Sequence, residues 1–100
     1  MAETRTVELP VAPDLALQRA HQALSGVKRV KEVRSTSPTS LVGKVGFSMA
    51  SYGETITVDV APSAAGSSVT VTSKPTVGFQ LVDWGKNRRN IEQVVAALGS

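Results

Sequence analysis

Two stretches in the second half of the chain alternate strictly between apolar and polar residues. Glu54–Val60 places Ile56, Val58 and Val60 on one side and Thr55, Thr57 and Asp59 on the other. Ser67–Ser73 repeats the pattern, with Val69 and Val71 against Thr70 and Thr72. A period of two is the signature of a strand with one buried face. It excludes a helix, and it excludes a strand covered on both faces, which would read as a continuous apolar run. A chain built on such strands must form a sheet and cover one face of it with something else. Pro62 to Gly66, small and polar, joins the two runs over a hairpin-length distance, so the pair is expected to be antiparallel.

The other strand candidates follow from the same test. In Thr4–Leu9, Val7 and Leu9 point one way and Thr6 and Glu8 the other, and Pro10 ends the run. Leu41–Met49 carries Leu41, Val45, Phe47 and Met49 on one face, with Gly43 and Gly46 marking a bulge or bend. Ser51-Tyr52-Gly53 is a turn. Val27–Arg34 fits neither period cleanly, because Val27, Val30 and Val33 recur every three residues. Its bounds, Gly26 and Ser35-Thr36-Ser37-Pro38, make it an edge strand, whose charges discourage pairing with other sheets. The outward threonines are read as strand formers on a solvated face.

Two helices supply the cover. The first starts with Pro13 at the first helical position and Asp14 in the first turn, and runs to about Ser25, with Gly26 as its expected left-handed cap. Its apolar stripe is Ala16, Leu17, Ala20, Ala23 and Leu24, and the alanines let it lie close to a sheet. The second starts after Asp83, a good N-cap, and ends at Gly99. Trp84, Ile91, Val94, Val95 and Leu98 form its stripe. The order is β-α-β-β-β-β-α. This is an α+β fold, a two-layer sandwich with a mostly antiparallel sheet and both helices on one face. A chain of 100 residues makes one domain, 1–100. The order resembles a miniature helix-grip domain, the architecture of START and polyketide-cyclase-like proteins, in which a curved sheet wraps a long C-terminal helix around a cavity. Here the inward residues fill a core and leave no obvious room for a ligand.

Asn87 interrupts the second helix's apolar stripe, three residues after Trp84 and four before Ile91. An amide there must find partners or cost about 1–3 kcal/mol. The nearest irregular backbone is Lys74–Val82, which contains Pro75 and Gly78. Asn87 is therefore read, with Asp83, as a structural clamp on that segment; a ligand-facing role is the lesser alternative. Arg88 lies on the edge of the stripe, and Lys86, Arg89 and Gln93 point away from it.

The run Val77-Gly78, Asp83, Gly85, Asn87-Arg88-Arg89 and Ile91-Glu92 resembles the C-terminal signature of a bacterial domain-of-unknown-function family (number fourteen ninety-nine). The likeness spans about thirty residues, from strand end to helix. This chain has four residues, Phe79 to Val82, where the family is shorter, and Thr72-Ser73-Lys74 where the family has an Arg-bearing strand end. The resemblance implies a related bacterial fold and brings no activity with it.

Little chemistry survives inspection. There is no cysteine, which removes disulfides, thiol nucleophiles and zinc-thiolate sites together. The single histidine, His21, sits at the margin of the first helix's stripe with no metal-type partner three or four residues away. The acids are scattered, and Gly43-Lys44-Val45-Gly46 lacks the Lys-Ser/Thr ending of a phosphate loop. No catalytic residue, metal or cofactor is expected, and the chain does not read as an enzyme. The net charge of +3 rests on Lys28, Arg29, Lys31 and Arg34 and on Lys86, Arg88 and Arg89. These clusters lack interleaved aromatics, so nucleic acid is not the expected partner. No apolar run approaches transmembrane length, and no signal pattern opens the chain, which points to the cytoplasm.

Two functions from different classes remain. One is a non-catalytic binding or interaction module using the Thr76–Gly85 turn and the helix start. There Phe79, Leu81 and Trp84 cluster beside Lys86, Arg88 and Arg89, aromatics and arginines together being typical of interface hot spots; Phe79, Leu81 and Trp84 could instead cap the core. The other is a carrier or sensor of a small apolar ligand, by analogy with helix-grip proteins. The sequence decides neither the partner nor the oligomeric state.

Overall fold

Seven elements follow one another in the order the patterning implies: β1 (Glu3–Leu9), α1 (Pro13–Ser25), β2 (Val30–Ser37), β3 (Ser40–Val45), β4 (Glu54–Ser63), β5 (Gly66–Pro75) and α2 (Lys86–Leu98). The structure is a computed structural model that describes residues 2–46, 53–75 and 86–99. The strands form one antiparallel sheet ordered β1-β5-β4-β3-β2. Each consecutive pair from β2 onward is hairpin-connected, while β1 crosses by way of α1 to the opposite edge.

The inward rows are those of the alternation. Ile56, Val58 and Val60 of β4 and Val69 and Val71 of β5 are buried beneath Ala16, Ala20, Ala23 and Leu24 of α1 and Ile91, Val94 and Leu98 of α2. Both helices lie on this face, which completes the two-layer α+β sandwich. Gly43 belongs to the same row on β3. A Cβ there would stand 3.4 Å from Leu24 Cδ2, an ordinary van der Waals contact, so α1 packs directly over this position. The opposite face is solvated and laced by threonine pairs across the strands, Thr6 to Thr70 at 3.0 Å and Thr4 to Thr72 at 3.3 Å.

Several boundaries differ from the sequence reading, each for a local reason. β2 starts at Val30, not Val27, and takes in Ser35 to Ser37. Val27 is instead buried in the turn after α1, its carbonyl accepting from the Val30 N–H. The three-residue spacing of Val30 and Val33 comes from an extra residue, Lys31, between the pairs Val30↔Val45 and Glu32↔Lys44. A second extra residue, Thr36, falls between Ser35↔Leu41 and Ser37↔Ser40. The bulges expected at Gly43 and Gly46 thus lie on the partner strand. β3 ends at Val45, and residues 47–52 lie outside the description. β4 runs on to Ser63, so the expected loop over Pro62–Gly66 contracts to a turn at Ala64-Ala65. Gly66 opens β5 at φ 136°, where a Cβ would stand 2.7 Å from the Leu9 carbonyl; only glycine fits. Gly26 closes α1 at φ −87°, ψ −8°, a right-handed conformation and not the expected left-handed one.

Candidate functional site

At the end of the sheet where α2 begins, the inward rows change from apolar to polar. Glu54 is in phase with Ile56 and Val58, and Ser73 with Val69 and Val71, so both side chains point under α2. Asn87 and Asn90, one turn apart on α2, point down onto them. All four are buried: Ser73 and Asn87 at 0% exposure, Glu54 at 2% and Asn90 at 6%. The Ser73 hydroxyl donates to Asn87 Oδ1 at 2.7 Å. The Asn90 amide nitrogen donates to Glu54 Oε1 and to Ser73 Oγ, both at 3.2 Å. Asn87 and Glu54 make further contacts besides these. Among the described residues, no buried side-chain polar atom lacks a partner. A serine hydroxyl that donates to one amide and accepts from another makes a closed relay between strand and helix.

Asn90 also borders an open groove of about 110 Å³, lined besides by Lys28, Arg29, Val45, Arg89 and Gln93. Three cations reach it from two elements. Lys28 and Arg29 come from the turn after α1, and Arg89 from the outer side of α2. The turn is fixed from both sides. Gln93 Oε1 accepts from the Lys28 backbone N–H at 3.2 Å, and the Arg29 carbonyl accepts from the Gly46 N–H at 3.1 Å. Arg29 holds φ 73°, the only positive φ outside glycine among the described residues. A non-glycine residue there costs about 1–2 kcal/mol, so the surroundings must impose it.

The sequence-derived candidates divide into three groups. Arg88, from the edge of the stripe, and Arg89, from the face opposite it, lie exposed on the first turns of α2, and Lys86 opens that helix. Asn87 is fully buried, as its place in the stripe requires, and its described partner is the Ser73 side chain, one residue before the segment assigned to it. Phe79, Leu81, Asp83 and Trp84 lie outside the described residues, and with them the aromatic cluster and the N-cap. His21 is exposed, 3.5 Å from Ser25 Oγ on its own helix. No group of three metal-type ligands occurs among the described residues. Among them, too, no helix is long and apolar enough to cross a membrane. Sequence reasoning missed Glu54, Ser73 and Asn90. Glu54 and Ser73 were legible in position from parity, and their residue types hid them; Asn90 lies off the apolar stripe of α2 and carried no such signal.

No known family profile matches the chain, and no curated protein matches it in sequence. Solved structures do. Protein MLL2253 from Mesorhizobium loti superposes with a TM-score of 0.68 at 10% identity, over 98% of this chain and 93% of that one. The di-domain aromatase/cyclase StfQ of the steffimycin biosynthetic pathway superposes at 0.62 with 14% identity. The match covers 97% of this chain and 49% of StfQ. Ara h 8.0201 superposes at 0.50 with 10% identity, over 98% and 91% of the two chains. At these identities the likeness concerns architecture alone. In fold, the chain is similar to helix-grip, Bet v 1-like proteins.

Proposed function

We propose that this chain is a small non-catalytic binding module that engages an acidic segment of a protein partner at the α2 end of its sheet. The observation that carries the reading is the groove where Lys28, Arg29 and Arg89 converge from two separate elements beside the Asn90 and Gln93 amides. Cations held by a fixed turn and a packed helix are preorganised, which lowers the ordering cost of binding. The groove is far smaller than the roughly 300–1,000 Å³ of a drug-sized ligand site, so it suits a side-chain carboxylate better than a whole small molecule. The apolar residues Phe79, Leu81 and Trp84 stand close in sequence to α2 and would supply the apolar part of such an interface. The run from Val77 to Glu92 supports the further reading that the domain is bacterial and related to the unknown-function family it resembles.

A carrier of apolar ligands is the competing reading, and the fold likeness favours it. Against it stands the filled layer between helices and sheet, where Leu24, Ile56, Val58, Val69, Val71, Val94 and Leu98 are all fully buried. Fluorescence anisotropy with a labelled glutamate-rich peptide tests the proposal. Binding should weaken with salt, as expected for exposed ion pairs, and Arg29→Glu should weaken it about tenfold or more. Stoichiometric uptake of a fluorescent fatty acid, with no peptide binding, would instead establish the carrier.

A further inference from the structure

The two edges of the sheet are built differently. β2 is broken by the extra residues Lys31 and Thr36, which limit regular pairing from its free side. β1 has no such break: its register with β5 runs without interruption from Glu3↔Ser73 to Leu9↔Ser67. Its other edge pairs with nothing in the described chain. Regular, unbulged edges of this kind are templates for another strand.

The charges beside that edge are self-complementary. A groove of about 210 Å³ between β1 and α2 is lined by Glu3, Thr4, Arg5, Arg88, Ile91 and Glu92. Its charges cancel, two acids against two bases, although the whole chain carries +3. None of the four makes an ion pair with another described residue. Glu3 and Arg5 lie two residues apart on one strand and so project to the same face. In an antiparallel pairing of β1 with β1 of a second copy, directly opposed residues share a face. Placing Glu3 opposite Arg5 then forces Arg5 opposite Glu3 and Thr4 opposite Thr4. A two-fold axis passes through Thr4, as an isologous interface requires.

We propose that β1 is a homodimer interface, in which two copies pair antiparallel about Thr4 and join their sheets, with Glu3 of each facing Arg5 of the other. The contact is a short strand pair, at the small end of specific interfaces, so the dimer is weak and concentration-dependent. Helix α2 flanks the seam on each side, bringing Arg88 and Glu92 beside it.

Sedimentation velocity over a range of concentrations should show a monomer–dimer equilibrium. Arg5→Glu sets like charges opposite each other twice and should raise the dimer dissociation constant about tenfold or more. The swap Glu3→Arg with Arg5→Glu should restore it. Circular dichroism melting of each variant controls for folding. Thr4→Cys keeps every charge and introduces the only cysteine. Its two copies face each other at a Cα separation of about 4.5–5.5 Å, within disulfide reach. Mild oxidation should give a covalent dimer. Thr6→Cys, about 14 Å from its mate in this register, should not. A strictly monomeric wild type would overturn the proposal. So would an Arg5→Glu dimer of undiminished affinity, a charge swap that fails to rescue, or Thr6→Cys crosslinking as readily as Thr4→Cys.

Discussion

Replacing Asn87 by alanine tests the link between α2 and the sheet. Asn87 is fully buried, and its Oδ1 accepts the Ser73 hydroxyl at 2.7 Å. Alanine removes that acceptor. Ser73 is also fully buried, so water does not replace it. The Asn90 amide cannot replace it either, because it already acts as a donor to Ser73 Oγ. A buried donor stripped of its acceptor costs about 1–3 kcal/mol, and the void left by the amide adds to that. In a domain of this size each kcal/mol lowers Tm by about 4–8 °C. Urea denaturation followed by circular dichroism should therefore show Asn87→Ala well below wild type. His21→Ala, an exposed change, should stay within about 0.5 kcal/mol. Ser73→Ala should cost less than Asn87→Ala, because Asn87 makes further contacts. The double variant should cost less than the sum, with a coupling of about 0.5–3 kcal/mol. Strict additivity, or an Asn87→Ala protein as stable as wild type, would refute the relay.

Other substitutions probe the rest of the fold. Gly66→Ala should destabilise by about 1–3 kcal/mol in the same assay, since its φ of 136° brings any Cβ against the Leu9 carbonyl and the Val11 backbone. Leu24→Ala, in the last turn of α1 and fully buried against the sheet, should cost about 2–5 kcal/mol. Arg29→Gly relieves a left-handed residue but gains chain entropy on unfolding, so stability should change by less than about 1 kcal/mol while peptide affinity falls. Thermal melts with and without a chelator should coincide.

The strands were legible because their alternation was strict: the rows through Val58 and Val71 needed no further information to be assigned inward. β2 resisted because a bulge adds one residue to a period of two. Val30 and Val33 then share a face at a spacing of three, which no regular strand has. The polar end of the core was hidden for another reason. Glu54 and Ser73 sit on the inward rows by parity, but carboxylate and hydroxyl side chains are ordinarily solvated. Only the approach of α2 gives them partners. Asn87 could be read as buried because apolar residues surround it in the helical stripe. Asn90 could not, since its partners come from strands 17 and 36 residues away. The convergence of Lys28 and Arg29 with Arg89 is likewise a tertiary fact, because the sequence shows two unconnected basic clusters.

The proposal that the α2 end of the sheet is the binding surface meets its most direct test in an amide-resolved ¹H–¹⁵N NMR titration with a glutamate-rich peptide. The account predicts saturable shifts concentrated at Lys28, Arg29, Arg89, Asn90 and Gln93, with the Thr-lined outer face of β4 and β5 unmoved. Shifts confined to that outer face, or none at any residue around the groove, would contradict it.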